Sequence, residues 1–305
     1  MQRAYMSALM ELAEKDKNVL HLIADSGSGY DEIFRRNFPG QIFNFGISEQ
    51  HMTGVAAGFA SCGKIPFVYT AGAFLAYRAY EFIRDDVCFN NLNVKIAGVW
   101  SGLSVANLGP SHHTTEDISA LRPLPNLTLL SPATPVQASE CVRIAYETPG
   151  PFYIRIGMSN EREFFGGEYS PSASGMDEII QGREVIIFST GAILGDAYEA
   201  VKSLRDSGIN AGLLNVFRLK PFDSVAFFEA VKDSRLVVSV EEHSIFGGLG
   251  GILAESLAYA GAGLRLKRMG LAGKFADGYG TQEQVRAENG LDSKSIFAGI
   301  MEALQ

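Results

Sequence analysis

The stretch Asn44-Phe45-Gly46-Ile47-Ser48-Glu49-Gln50-His51 reads as the end of a strand, a glycine turn and the first turn of a helix. Gly54, Ala56, Ala57 and Gly58 continue that helix with small residues, which let it approach another backbone closely. Working outward, the same alternation recurs on both sides. Upstream, Ala4, Ala8, Leu9 and Leu12 fall at helical spacing, and the apolar run 19–24 reads as a strand. Downstream, strands at 66–70, 93–100 and 151–156 alternate with helices at 74–89 and 135–146. Such alternation predicts an α/β fold, a mostly parallel sheet with helices on both faces.

The periodicity fails at residues 164–182, where Gly166, Gly167, Pro171, Ser172, Ser174 and Gly175 crowd together. A fresh series follows, with strands at 185–189, 211–216, 236–241 and 264–269. Its helices are expected at 195–207, 224–232, 250–259 and from Ser293 onward. The expected organisation is two α/β domains, 1–165 and 183–305, joined by a linker at 166–182. A length of 305 residues suits two domains better than one.

A net charge of −8 argues against a nucleic-acid surface. No run approaches the roughly 18 apolar residues of a membrane span, and residues 1–16 lack the apolar centre of a signal peptide. A soluble cytoplasmic protein is expected, without membrane or nucleic-acid partners. Cys62, Cys88 and Cys141 are expected as buried reduced thiols, and no CxxC pair suggests zinc.

Three segments could carry chemistry. Glu49 is either a first-turn charge favoured by the helix dipole or a working carboxylate. Phe74, Tyr77 and Tyr80 fall at i, i+3 and i+6 and form either a core stripe or a ligand floor. They follow the turn Ala71-Gly72 at a strand end, where parallel sheets bind ligands. The loop Gly109-Pro110-Ser111-His112-His113 suits a general acid–base or oxyanion role better than a metal, because adjacent histidines ligate one ion poorly.

Together these segments resemble the pyrimidine-binding and C-terminal domains of transketolase, in the form of the C-terminal subunit of transketolases encoded as two chains. The resemblance rests on Phe45-Gly46-Ile47-Ser48-Glu49-Gln50-His51, on Arg78-Ala79-Tyr80-Glu81-Phe82-Ile83-Arg84 and on Asn91-Leu92-Asn93-Val94-Lys95. It continues in Gly109-Pro110-Ser111-His112 with Glu116-Asp117-Ile118, then Leu121-Arg122-Pro123-Leu124-Pro125-Asn126-Leu127-Thr128 and Pro132-Ala133-Thr134. The last part is Glu241-Glu242-His243-Ser244-Ile245-Phe246-Gly247-Gly248-Leu249-Gly250. Nearly the whole chain is covered.

The resemblance implies thiamine diphosphate as cofactor, with Glu49 at N1′ of its aminopyrimidine, where a carboxylate favours the imino tautomer that removes the thiazolium proton. A two-carbon ketol unit then passes from a ketose to an aldehyde. It also implies that Phe74, Tyr77 and Tyr80 pack on the pyrimidine, that Asp25 lies beside the cofactor, and that His112 contacts the substrate oxygen. The Gly-Asp-Gly turn and downstream Asn that hold Mg²⁺ and the diphosphate in this family are absent here; Gly195-Asp196-Ala197 is the nearest match. An N-terminal partner subunit is therefore expected to supply them, in an α2β2 heterotetramer.

Some positions depart from the family. Trp100 stands where a histidine is usual, Leu108 replaces an aspartate, and Met158 replaces an arginine, while Arg3 matches a phosphate-side arginine. Charge-assisted hydrogen bonds to a sugar phosphate, worth roughly 1.5–3 kcal/mol each, would be lost. A non-phosphorylated or more apolar acceptor is expected. Ser26, after Asp25, replaces the leucine that wedges the cofactor into its bent shape. Competing readings are pyruvate-using relatives, namely a 2-oxo-acid dehydrogenase E1 β subunit or a deoxyxylulose-phosphate-synthase-like enzyme, and a non-catalytic assembly subunit.

Overall fold

The structure, a computed structural model, describes residues 1–25, 29–158, 161–166 and 169–305. Ser26 lies outside the described residues. In the first domain the strands are β1 (Val19–Ile23), β2 (Ile42–Asn44), β3 (Ile65–Ala71), β4 (Lys95–Val99), β5 (Thr128–Leu130) and β6 (Phe152–Ile156). They pair in parallel in the order β5-β6-β4-β3-β1-β2, with Leu22 opposite Val68, Val68 opposite Ile96 and Ile96 opposite Tyr153. Buried on both faces, β1 and β4 are continuous apolar runs except for His21 and Lys95.

The helices of this domain are α1 (Gln2–Lys15), α2 (Gly29–Asn37), α3 (Glu49–Ser61), α4 (Gly72–Arg78), α5 (Tyr80–Phe82), α6 (Asp117–Leu121) and α7 (Pro135–Glu147). Buried residues of α1, α2 and α7 form one core against the sheet, and those of α3, α4 and α6 form another. Because all six strands run the same way, their carboxyl ends share one edge, where β1, β2, β3, β4 and β6 lead into Asp25, Glu49, Phe74, Trp100 and Met158.

The expected helix at 74–89 is interrupted. Ala79 leaves helical geometry (φ −94°, ψ 12°), and Ile83–Cys88 then winds as a π-helix. The wider turn keeps Ile83, Val87 and Cys88 buried while Asp85 points outward. Tyr80 thereby lies beyond the break and packs against the core. Cys62 is exposed rather than buried, because it follows the last residue of α3; Cys88 and Cys141 are buried.

The second domain holds β7 (Met176–Ile180), β8 (Val185–Thr190), β9 (Ala211–Val216), β10 (Arg218–Lys220), β11 (Leu236–Ser244) and β12 (Leu266–Leu271). Its helices are α8 (Leu194–Asp206), α9 (Ser224–Val231), α10 (Leu249–Tyr259), α11 (Gln282–Glu288) and α12 (Ser293–Leu304). Five strands form the sheet β12-β11-β8-β9-β7, with β7 antiparallel to β9. Strand β7 falls inside the expected linker; its half-exposed edge position hid it from an apolar-pattern reading.

The sixth strand crosses over. β10 pairs antiparallel with β5 and becomes the seventh strand of the first sheet, with Arg218 opposite Leu130. One apolar core runs through both domains, joining Leu124, Leu129 and Tyr153 to Val216, Phe227 and Leu253. Arg122 grips Glu255 through both oxygens at 2.7 and 2.6 Å across the same boundary. No helix among the described residues is long and apolar enough to cross a membrane.

Candidate active site

Glu49 opens α3, so its charge meets the positive end of the helix dipole, yet the residue is only 1% exposed. A carboxylate so far out of water requires a partner. Arg78, at the end of α4, supplies it: Nη1 donates to Glu49 Oε2 at 2.6 Å. The same guanidinium lies over the Phe74 ring, 4.8 Å from its centroid. Phe74 in turn meets the His112 imidazole edge-on at 5.1 Å. Three of the expected residues are thus one cluster, and Arg78 joins them.

Tyr77 ties the histidine loop to α4. Its hydroxyl donates to Glu116 Oε2 and accepts from the Glu116 backbone N–H, both at 3.0 Å. Burial, with Asp117 and Glu116 close by, pushes the phenol up, so it stays protonated. The next residue, Asp117, is fully buried and accepts from Arg155 Nε at 2.7 Å and from the Tyr153 hydroxyl at 2.9 Å. Arg155 also donates to the Thr114 carbonyl at 3.0 Å, and Gly102 and Thr114 exchange two backbone hydrogen bonds.

His112 itself is partly open to solvent, with Nδ1 3.0 Å from Ser111 Oγ. Its backbone N–H and that of His113 both donate to the Gly109 carbonyl. Gly109 has φ +73°, and a Cβ there would come within 2.3 Å of the Tyr279 ring from the second domain. Only glycine fits that position. His113 is buried, and burial pushes its pKa down, which keeps it neutral.

The remaining expected residues fall elsewhere on the same sheet edge. Asp25, in a left-handed conformation (φ 50°), exchanges two hydrogen bonds with Asn44 at the end of β2. Asn44 also accepts from Gly46 N–H at 2.9 Å, which fixes the turn before Glu49. Arg3 and Met158 line one cavity of about 550 Å³ with Gln2, Ser7, Tyr30 and Pro135. Trp100 also has positive φ (61°) and packs partly buried against the core, while Leu108 is 45% exposed. Among the described residues, no hydrogen bond, ion pair or ring contact joins Arg3 or Met158 to the Glu49 cluster.

Arg78, Glu116, Asp117 and Arg155 are the residues that the sequence reading left without a role. Arg78 lies four positions from Phe74 on a readable helix, so its place on that face was open to inference. The pairing of Tyr77 with Glu116, or of Asp117 with Arg155, spans 39 and 38 residues and has no local signature.

A buried carboxylate beside a half-open aromatic ring suits the aminopyrimidine half of thiamine diphosphate, which needs an acceptor shielded from water and an apolar floor. Among the described residues, no group of three or more His, Cys, Asp or Glu side chains is placed to hold a metal ion.

Two family models match the chain, the transketolase pyrimidine-binding domain over residues 1–162 and the transketolase C-terminal domain over residues 176–296. The chain belongs to the transketolase family, whose members are thiamine-diphosphate-dependent transferases of ketol units. It is 35% identical over 309 residues to a Methanocaldococcus jannaschii protein named as a transketolase C-terminal section, covering 100% of this chain and 96% of the relative. It is 35% identical over 263 residues to an Actinobacillus succinogenes protein named as a subunit of apulose-4-phosphate transketolase, covering 86% of this chain and 85% of the relative. A solved structure described as a split-gene transketolase, an inactive beta4 tetramer, superposes with a TM-score of 0.88 at 34% identity, over 99% of this chain and 97% of that one.

Proposed function

We propose that this chain is the half of a split transketolase that presents the catalytic carboxylate, and that a separate N-terminal subunit contributes the diphosphate and Mg²⁺ site. The observation that carries the reading is Glu49, out of water at a helix start and clustered with Phe74 and His112. Support also comes from relatives that are themselves subunits or sections of transketolases. The assembly is read as α2β2, with the cofactor at the junction of the two kinds of chain. The cytoplasm is the expected compartment, in keeping with three cysteines that form no disulfide.

Thiamine diphosphate, bound there, supplies the electron sink for breaking and making a carbon–carbon bond. Glu49 holds a proton at N1′ of the pyrimidine and so sets the tautomer. Phe74, Tyr77 and Tyr80 provide apolar surface for the ring, and Asp25 borders it at the end of β1. His112 donates to the substrate oxygen beside the reacting carbon, a role that its partial exposure permits.

Trp100, Leu108 and Met158 stand at positions that are polar in the family, while Arg3 keeps a cation beside Met158, so the acceptor is read as non-phosphorylated or more apolar than a pentose phosphate. Two measurements on the complex of both subunits test these readings. Glu49→Ala should lower kcat by roughly 10²–10⁴-fold without weakening subunit association; unchanged turnover would refute the catalytic assignment. Comparing kcat/KM for ribose 5-phosphate with that for unphosphorylated aldehydes tests the acceptor, and a clear preference for the phosphate ester would refute that part.

A further inference from the structure

A catalytic carboxylate has two oxygens, and how the protein uses one decides what the other can do. Glu49 Oε2 takes the Arg78 guanidinium at 2.6 Å, whereas Oε1 accepts no hydrogen bond from a described residue. The grip is single-toothed, although an arginine fork can clasp both oxygens. Arg78 is kept from swinging to the second oxygen by its other contact, the Phe74 ring 4.8 Å away. Phe74 is itself braced by the edge of His112.

We propose that Arg78 is a positioning residue for the transfer reaction. It fixes the rotamer of Glu49 through Oε2, so that Oε1 is the oxygen offered to the pyrimidine nitrogen. The assignment rests on Glu49 being the catalytic carboxylate and adds a residue to it. One guanidinium sets two parts of the site at once, the proton-holding oxygen and the aromatic floor. Lysine could supply charge and N–H donors, but not a flat group lying on the ring while bonding in its own plane. Arg78 is 40% exposed on its side-chain surface, so glutamine, which still offers Glu49 an N–H donor, can replace it without opening the core.

The test uses the complex of both subunits with thiamine diphosphate and compares wild type, Arg78→Gln, Arg78→Lys and Glu49→Gln. The readouts are the near-ultraviolet circular dichroism band of the bound imino tautomer, kcat against KM, and subunit association. Arg78→Gln should weaken the imino band several-fold and lower kcat by roughly 10²-fold, the usual effect of a misplaced catalytic group, with the KM for substrate and subunit association nearly unchanged. Arg78→Lys should recover part of the band.

If Glu49→Gln abolishes the band and turnover while Arg78→Gln leaves both as in wild type, the Glu49 reading stands and the Arg78 assignment is overturned. A stronger band in Arg78→Gln would also overturn it, by showing that the guanidinium competes with the ring. If Glu49→Gln itself leaves band and turnover intact, the site reading fails and the assignment falls with it.

Discussion

Two buried acids near the histidine loop are held differently. Glu49 Oε2 takes a single guanidinium that is 40% exposed, whereas Asp117 Oδ2 is held by both Arg155 and Tyr153 in the interior, with its Oδ1 4.0 Å from His243 Nε2. That makes Asp117 a structural acid. Removing it strands a fully buried guanidinium, which in comparable cases costs about 3–5 kcal/mol. Asp117→Ala should lower unfolding stability by that order in urea titrations, and Asp117→Asn, which keeps an acceptor for Arg155, by less. At this scale a residue was legible where it sits beside its own backbone signal. Glu49 follows a glycine turn and His112 follows Gly-Pro, so both stood out. Asp117 was visible only as part of a motif, because its partner arrives from β6 on the far side of two intervening elements.

Among the elements, the junction of β11 and α10 buries the ionisable side chains of Glu241 and His243. Glu241 accepts the N–H groups of Leu249 and Gly250 at 2.7 and 2.8 Å, an acid placed on a helix start. Beside it, His243 Nδ1 lies 2.7 Å from the Ser244 carbonyl oxygen and Nε2 accepts from the Ser119 N–H at 3.4 Å. Those partners suit the neutral ring, and burial pushes its pKa down to about 4. The unfolded chain's imidazole takes a proton near pH 6.5 and the folded one does not, so stability is lost as pH falls from about 6.5 to about 4. The loss amounts to about 3 kcal/mol.

Glu241, pushed up to about 7 by burial, works in the opposite sense over the pH range below 7. The measurable quantity is therefore the difference between wild type and His243→Gln, in which the titration of groups remote from the imidazole cancels. Thermal unfolding at stepped pH should show that difference shrinking on acidification through this window, and a constant difference would contradict the assignment. Element types were legible from period alone wherever both faces were apolar. The π-helix, β7 and β10 were not, since each is short or half exposed and is specified by what packs against it.

For the whole molecule, the shared core and the Arg122–Glu255 grip bind the two domains more closely than a linker would. We expect one cooperative unfolding transition. The single tryptophan, Trp100, reports on the first domain alone, whereas far-ultraviolet circular dichroism reports on both. Coincident melting curves from the two signals are expected, and two separated midpoints would show independent domains. The two-domain plan was readable from the break in periodicity near residue 166. The interleaving was not, because an exchanged strand of three residues has no sequence signature of its own.

That exchanged strand has a consequence for anyone recombining this protein with its relatives. The main-chain bonds between β5 and β10 cross the expected domain boundary, including Ser131 N–H to the Phe217 carbonyl at 2.7 Å. A chimera joined inside the stretch 166–175 would ask one parent's margin to zip onto another parent's ribbon. A fragment ending there would display a bare, adhesive border ready to stick to its neighbours. Hybrids that inherit both borders from one parent avoid that mismatch.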